Sequence, residues 1–147
     1  HPKLPLQASA VRTVRFSDHQ LLTGSTDGTV RVWDLRTGGC ARTLHAGAVV
    51  NSLRFDDQRV FVATNIPAAA GRSAADAGLL VYCSRTGERL GALGGADASV
   101  RSVDLAANLL ASASADGTVR LWSAERMGEG EGGGPPPAAA EAAEAGA

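Results

Sequence analysis

The chain has 147 residues, 44% of them hydrophobic and only 4% aromatic, so it is long enough for one core, which must rest on Val, Leu and Ala. Its net charge of −1 hides an asymmetry: all fourteen basic residues, thirteen of them Arg, fall in 1–126, which carries +3, while 127–147 carries −4. A surplus that small, with no Lys/Arg block interleaved with aromatics, argues against nucleic-acid binding, and no apolar run approaches the roughly 18 residues of a membrane span.

In chain order, Lys3-Leu4-Pro5-Leu6 comes first, and Leu6 occupies the place that Leu44 and Leu93 hold later, so residues 1–7 are expected to be the last strand of a preceding repeat. The chain opens on His1 and not on Met, which fits a fragment of a longer product. Three similar stretches follow: Val11-Arg12-Thr13-Val14-Arg15-Phe16, Val50-Asn51-Ser52-Leu53-Arg54-Phe55 and Val100-Arg101-Ser102-Val103-Asp104-Leu105. The first and third are each followed by a second landmark, Thr23-Gly24-Ser25-Thr26-Asp27-Gly28-Thr29-Val30-Arg31-Val32-Trp33-Asp34 and Ser112-Ala113-Ser114-Ala115-Asp116-Gly117-Thr118-Val119-Arg120-Leu121-Trp122-Ser123. Val11/Val100, Asp27/Asp116 and Trp33/Trp122 share one offset of 89 residues, which marks an internal repeat. The middle repeat begins the landmark at Val60–Thr64, breaks at Asn65 to Ala77, and resumes at Leu79-Leu80-Val81-Tyr82-Cys83, with Tyr82 where Trp33 would fall. The insertion, of about ten residues, is expected as a surface loop.

Each repeat reads as short strands rich in Val, Leu and Phe, bounded by turn residues. In the first repeat the strands are predicted at about 11–16, 21–25, 29–34 and 40–44, with Asp27-Gly28 and Asp116-Gly117 as two-residue type I′ hairpin turns. Four antiparallel strands in about 40 residues are the size of one propeller blade. The stretch Thr23–Asp34 resembles the WD-repeat signature, and the resemblance extends over about 4–126. It implies an all-β fold, a partial β-propeller of about three four-stranded antiparallel blades (8–45, 46–94 and 95–126), followed by a disordered Gly/Pro/Ala/Glu-rich acidic tail at 127–147. Three blades do not close a ring. The signature residues are Thr23, Ser25, Asp27, Trp33 and Asp34 in the first repeat and Ser112, Ser114, Asp116 and Trp122 in the third. The family's His would fall near Gln7, Ala46 and Ala96, one residue from His45, so the network linking Asp to Trp is expected to be incomplete and the blades less rigid.

The resemblance implies partners and not chemistry. Arg12, Asn51 and Arg101 each follow the first Val of a repeat and are expected at one radius near the central channel. In the F-box/WD-repeat substrate receptors, which this chain resembles most, Arg at this position contacts phosphorylated peptides. The residue before the turn Asp adds a second position, expected here at Thr26, Ala75 and Ala115. The expected function is a non-enzymatic protein-interaction scaffold, the alternative being a ubiquitin-ligase propeller that takes phosphorylated peptides. Arg31 and Arg120, beside the Trp residues, are expected as packing stems with exposed heads.

No residue set argues for an enzyme. Ser17-Asp18-His19 are neighbours in a turn, whereas a catalytic triad needs convergence in space and an oxyanion site. Gly128–Gly133 mimics a dinucleotide fingerprint without its strand and helix, and Asp56-Asp57 read as a solvated turn. Three His and two Cys never approach metal-ligand spacing, so neither cofactor nor metal is expected. Cys40 and Cys83, far apart and expected as small apolar residues in or beside outer strands, fit a reducing compartment, cytoplasmic or nuclear.

Overall fold

The computed structural model describes residue 7 and residues 9–65, 78–93 and 98–123. The strand expected within 1–7, apart from Gln7, the insertion after Asn65 and the tail at 127–147 lie outside the described residues. What is described is all β. The first sheet holds β1 (Val11–Phe16), β2 (Gln20–Ser25), β3 (Thr29–Asp34) and β4 (Cys40–His45). The second holds β5 (Val50–Phe55), β6 (Arg59–Thr64), β7 (Leu79–Cys83) and β8 (Arg89–Leu93). The third holds β9 (Val100–Ala106), β10 (Leu109–Ser114) and β11 (Val119–Ser123). Each sheet is antiparallel, with strands in chain order from one edge to the other. The first strands β1, β5 and β9 pack side by side, so the sheets stand as successive blades about a shared inner edge.

The core lies between blades. Leu22, Val30, Val32 and Leu44 of the first face Val50, Leu53, Val60, Val62, Leu80 and Tyr82 of the second. Phe61, Ala63, Leu79, Val81 and Leu93 of the second face Val100, Val103, Leu110 and Trp122 of the third. Alternate residues of β6 therefore serve opposite junctions, Val60 and Val62 toward one neighbour and Phe61 and Ala63 toward the other. A strand buried on both faces reads as an unbroken apolar run, as Val60–Ala63 does.

The hairpins differ from the expected type I′ turns. Asp27 and Asp116 do not take positive φ, which that turn demands of both central residues. Each loop has three residues instead: Gly28 N–H bonds Ser25 O at 3.2 Å and Gly117 N–H bonds Ser114 O at 3.2 Å, with left-handed φ of 81° and 86° at the two glycines. The Asp side chain holds the turn from outside. Asp27 Oδ1 accepts the Thr29 N–H at 2.9 Å and hydroxyl at 2.6 Å, and Asp116 Oδ1 accepts the same pair from Thr118 at 2.9 and 2.7 Å.

Candidate interaction surface at the channel rim

The strongest local feature of each blade sits at the start of its inner strand. In β1 the pairing runs Val11↔Ser25 and then Thr13↔Gly24, passing over Arg12. In β5 it runs Val50↔Thr64 and then Ser52↔Ala63, passing over Asn51. In β9 it runs Val100↔Ser114 and then Ser102↔Ala113, passing over Arg101. The three residues singled out from the sequence are thus the extra residue of a β-bulge in every blade. A bulge leaves one residue out of the ladder and re-aims its side chain, and here it does so at the same level of neighbouring inner strands.

The rim has a second residue position, fixed by backbone. Thr26 N–H bonds Ala10 O at 3.0 Å, Asn65 N–H bonds Val49 O at 3.0 Å, and Ala115 N–H bonds Ser99 O at 2.8 Å. By this bond Asn65 takes the place of Thr26 in the second blade. Ala75, expected there as the residue before the turn Asp, lies outside the described residues.

Asn65 ties the rim together. Its Oδ1 accepts Asn51 Nδ2 at 2.9 Å and Arg101 Nη1 at 3.4 Å, and Asn51 Nδ2 also donates to Val100 O at 2.9 Å. Asn51 and Arg101, from different blades, thus meet on one side chain. Asn51 Oδ1 is buried and finds no donor among the described residues. Arg101 is exposed, as is Arg12, which makes no hydrogen bond or ion pair with another described residue. Thr26 is half-buried and its hydroxyl shares a 2.7 Å hydrogen bond with Ser9. The rim so formed offers the guanidinium donors of Arg12 and Arg101. Among the described residues, the carboxylates of Asp27 and Asp116 nearby are hydrogen-bonded within their own turns.

The WD signature residues split into two halves. Trp33 Nε1 donates to Thr23 Oγ1 at 2.9 Å, and Trp122 Nε1 to Ser112 Oγ at 3.2 Å, all four groups buried. Ser25 Oγ accepts the Asp27 N–H at 3.3 Å, Asp34 Oδ1 accepts the Arg36 N–H at 2.8 Å, and Ser114 enters through its backbone, bonding Thr118 O at 2.9 Å. These bonds hold the Asp turn and the Trp ring separately. In the second blade Tyr82 replaces Trp, and its hydroxyl reaches His45 O of the first blade at 2.9 Å. The Arg31 guanidinium itself lies over the Trp33 ring, 5.9 Å from its centroid, with Nε buried, so the head is packed and not exposed as expected. Cys83 closes β7 half-buried beside the outer strand, and hydrogen bonds from the Thr86 hydroxyl and backbone pull its thiol below the ordinary 9.0. Cys40 begins β4, an outer strand as expected, and is exposed there because no blade covers it.

Among the described residues, four carboxylates are held below their ordinary value of 3.8. Thr118 hydrogen bonds lower Asp116, Arg54 lowers Asp104 by hydrogen bond and charge, and the Arg36 backbone lowers Asp34. For Asp27 burial works upward, but hydrogen bonds from Thr29 and Ser25 outweigh it. A carboxylate whose folded pKa is depressed contributes stability present above its unfolded value and lost as pH falls through the folded value. The thermal midpoint should therefore be flat near neutrality and fall below about pH 4. Asp27→Asn with Asp116→Asn should lower the neutral-pH midpoint and flatten that acid limb.

The other end of the blades carries a cleft of about 480 Å³ between the first and second, lined among others by Arg15, Phe16, His19, Arg54, Phe55 and Asp57. Ser17 and His19 there use their backbones as turn groups, Ser17 N–H to Gln20 O at 2.8 Å and Leu35 N–H to His19 O at 3.0 Å. Among the described residues no group of three His, Cys, Asp or Glu could hold a metal ion, and no helix is long and apolar enough to cross a membrane.

A family model for the "WD domain, G-beta repeat" matches residues 3–34 and 87–123. The unmatched middle contains the second blade's interrupted landmark. The chain is 35% identical over 121 residues to the DENN domain and WD repeat-containing protein SCD1 of Arabidopsis thaliana, covering 82% of this chain and 9% of that protein. It is 54% identical over 35 residues to the WD repeat-containing protein pop1 of Schizosaccharomyces pombe, covering 24% of this chain and 4% of that one. The chain thus spans less than a tenth of the length of either relative. Among solved structures, the computationally designed Ika4 protein superposes with a TM-score of 0.69 at 28% identity, over 82% of this chain and 70% of that one.

Proposed function

The chain is built of WD40 repeats, and from that premise we propose that it serves as a non-enzymatic scaffold for protein–protein interaction within a larger WD-repeat propeller, contacting partners through Arg12, Asn51 and Arg101. WD-repeat proteins in general act in protein–protein interaction. The observation that carries the reading is the bulge repeated in all three inner strands, which puts a polar donor at the same level of each. Thr26 and Asn65 extend that surface outward.

A second reading is favoured by the chemistry of the same rim: the partner segment is a phosphorylated peptide, as for a substrate-recognition propeller of the F-box type. The two exposed guanidinium groups of Arg12 and Arg101 suit a phosphate that accepts charge-assisted hydrogen bonds. The test is a degenerate peptide library with one fixed phosphothreonine, titrated beside the same library carrying threonine. The phosphorylated library should bind more tightly, and Arg12→Ala and Arg101→Ala should each weaken it by about tenfold or more. Equal binding of the two libraries, or indifference to both substitutions, would sink the phosphate reading.

A further inference from the structure

We propose that the cleft between the first and second blades, at the end opposite the rim, receives the acidic segment Glu125–Glu131 of this same chain. The inference goes beyond the rim and does not depend on it. It starts from the charges at the inner end of the cleft, where Arg15 of β1 and Arg54 of β5 both form the lining. Arg54 Nε donates to Asp104 of β9 at 2.9 Å, and the charge of Arg15 acts on the same carboxylate. Two guanidinium groups thus face one carboxylate, which is itself 76% exposed. Among the described residues, the other bonds of the two arginines run to backbone carbonyls, Arg15 Nη1 to Val14 O at 2.8 Å and Arg54 Nη1 to Leu53 O at 3.0 Å. A guanidinium has more N–H donors than these bonds use. The cleft's own carboxylates do not take them up. Asp56 Oδ1 accepts the Gln58 and Arg59 N–H groups at 2.8 and 2.7 Å, and its Oδ2 lies 3.5 Å from Arg59 Nη2. Asp57 forms no ion pair with either arginine. The inner end therefore suits one further carboxylate, held by charge-assisted hydrogen bonds.

The occupant is argued from where the chain leaves the last sheet and from what it then carries. The third strand of each blade ends beside the turn that joins the first two, as the pairs Asp34↔Gln20, Cys83↔Arg59 and Ser123↔Leu109 show. The cleft opens among these turns, with His19 and Asp57 in its lining, so the chain departs from Ser123 on the cleft's own end of the blades. Residues 124–147 hold five Glu and one Arg, a charge of −4, against +3 for residues 1–123. From Ser123 to Glu129 the chain can span roughly 20 Å. The cleft lies one and a half sheet spacings from the third blade, roughly 15 Å, so Glu129 and Glu131 come within reach of Arg15 and Arg54. Gly128, Gly130 and Gly132 alternate with these glutamates and let the backbone approach the cleft closely. Tethering presents the segment at an effective concentration on the order of mM, enough for a weak ionic contact to stay filled. An acidic segment of any other protein must displace it first.

The test compares backbone amide chemical shifts of the 147-residue chain with those of a variant carrying Glu125→Gln, Glu129→Gln and Glu131→Gln together, changes that touch none of the three sheets. The amides of Arg15, His19 and Asp57 should differ between the two, while those of Arg12, Asn51 and Arg101 at the rim coincide. Sodium chloride at about 1 M, which screens charges beyond about 3 Å, should carry the wild-type cleft amides to the variant's positions. A synthetic peptide of residues 124–147 should then bind the variant at the cleft, and the wild type at least about tenfold more weakly, because there it competes with the tethered copy. Arg15→Gln in the variant should weaken that peptide by about tenfold, with fluorescence of Trp33 and Trp122 reading whether the sheets are kept. Coincident cleft amides in wild type and variant, or equal affinity of the two for the peptide, overturns the proposal. Peptide binding at the rim is read on other amides and with a different ligand, so failure here and failure there are distinguishable.

Discussion

Phe61→Ala is expected to lower the unfolding free energy by about 3–5 kcal/mol, and Phe16→Ala to change it by no more than about 0.5 kcal/mol. Both residues are Phe in apolar strands of the repeat, and only the fold separates them. Phe61 is wholly enclosed at 0% exposure, in the second strand of its blade, where it fills the space between Leu79, Leu93, Val100 and Val103. Removing it takes away its transfer free energy and leaves a cavity that two rigid sheets cannot close. Phe16 ends the innermost strand at 77% exposure, beside the open cleft. Denaturant titration with an unchanged slope reads the difference directly. Comparable losses for the two would mean that the junctions between blades are not where the core lies.

Gly24→Ala should cost about 1–3 kcal/mol, against the usual sign for this exchange, since Gly in a strand interior is ordinarily about 0.5–1 kcal/mol worse than Ala. The reason is a neighbour across the junction. A Cβ on Gly24 would collide with Val50 Cγ1 and stand 2.7 Å from Thr13 Cγ2. Val50 is fully buried and β-branched, so it has no other rotamer to retreat into. At the equivalent position the second blade carries Ala63, buried against the third blade, so only the local fit and not the repeat forbids the methyl. In a Val50→Ala background the same exchange should cost markedly less, the coupling expected of two residues in contact. Equal cost in both backgrounds would contradict the packing described.

The limits of reading this fold from sequence follow from the same physics. One constant offset between Val11/Val100, Asp27/Asp116 and Trp33/Trp122 was enough to place the strands, because turn chemistry and alternating side chains are local. The equivalence of Asn65 with Thr26 was missed, because an insertion can be charged to either side of a residue until backbone hydrogen bonds decide. The bulges at Arg12, Asn51 and Arg101 leave no compositional mark; they show only in which residues fail to pair. The hairpin type was misread because Asp-Gly serves both a two-residue I′ turn and the end of a three-residue loop, and what chooses here is the Thr that follows, whose N–H and hydroxyl both reach the Asp carboxylate.

The central claim, that the bulge residues form the partner-binding rim, is most directly tested by backbone amide chemical shifts recorded while the phosphothreonine library is added. The largest changes should fall on Arg12, Asn51, Asn65 and Arg101, with Phe16, His19 and Asp57 at the opposite cleft undisturbed. Changes confined to that cleft, with the four rim amides still, would contradict the account and move the interaction surface to the other end of the blades.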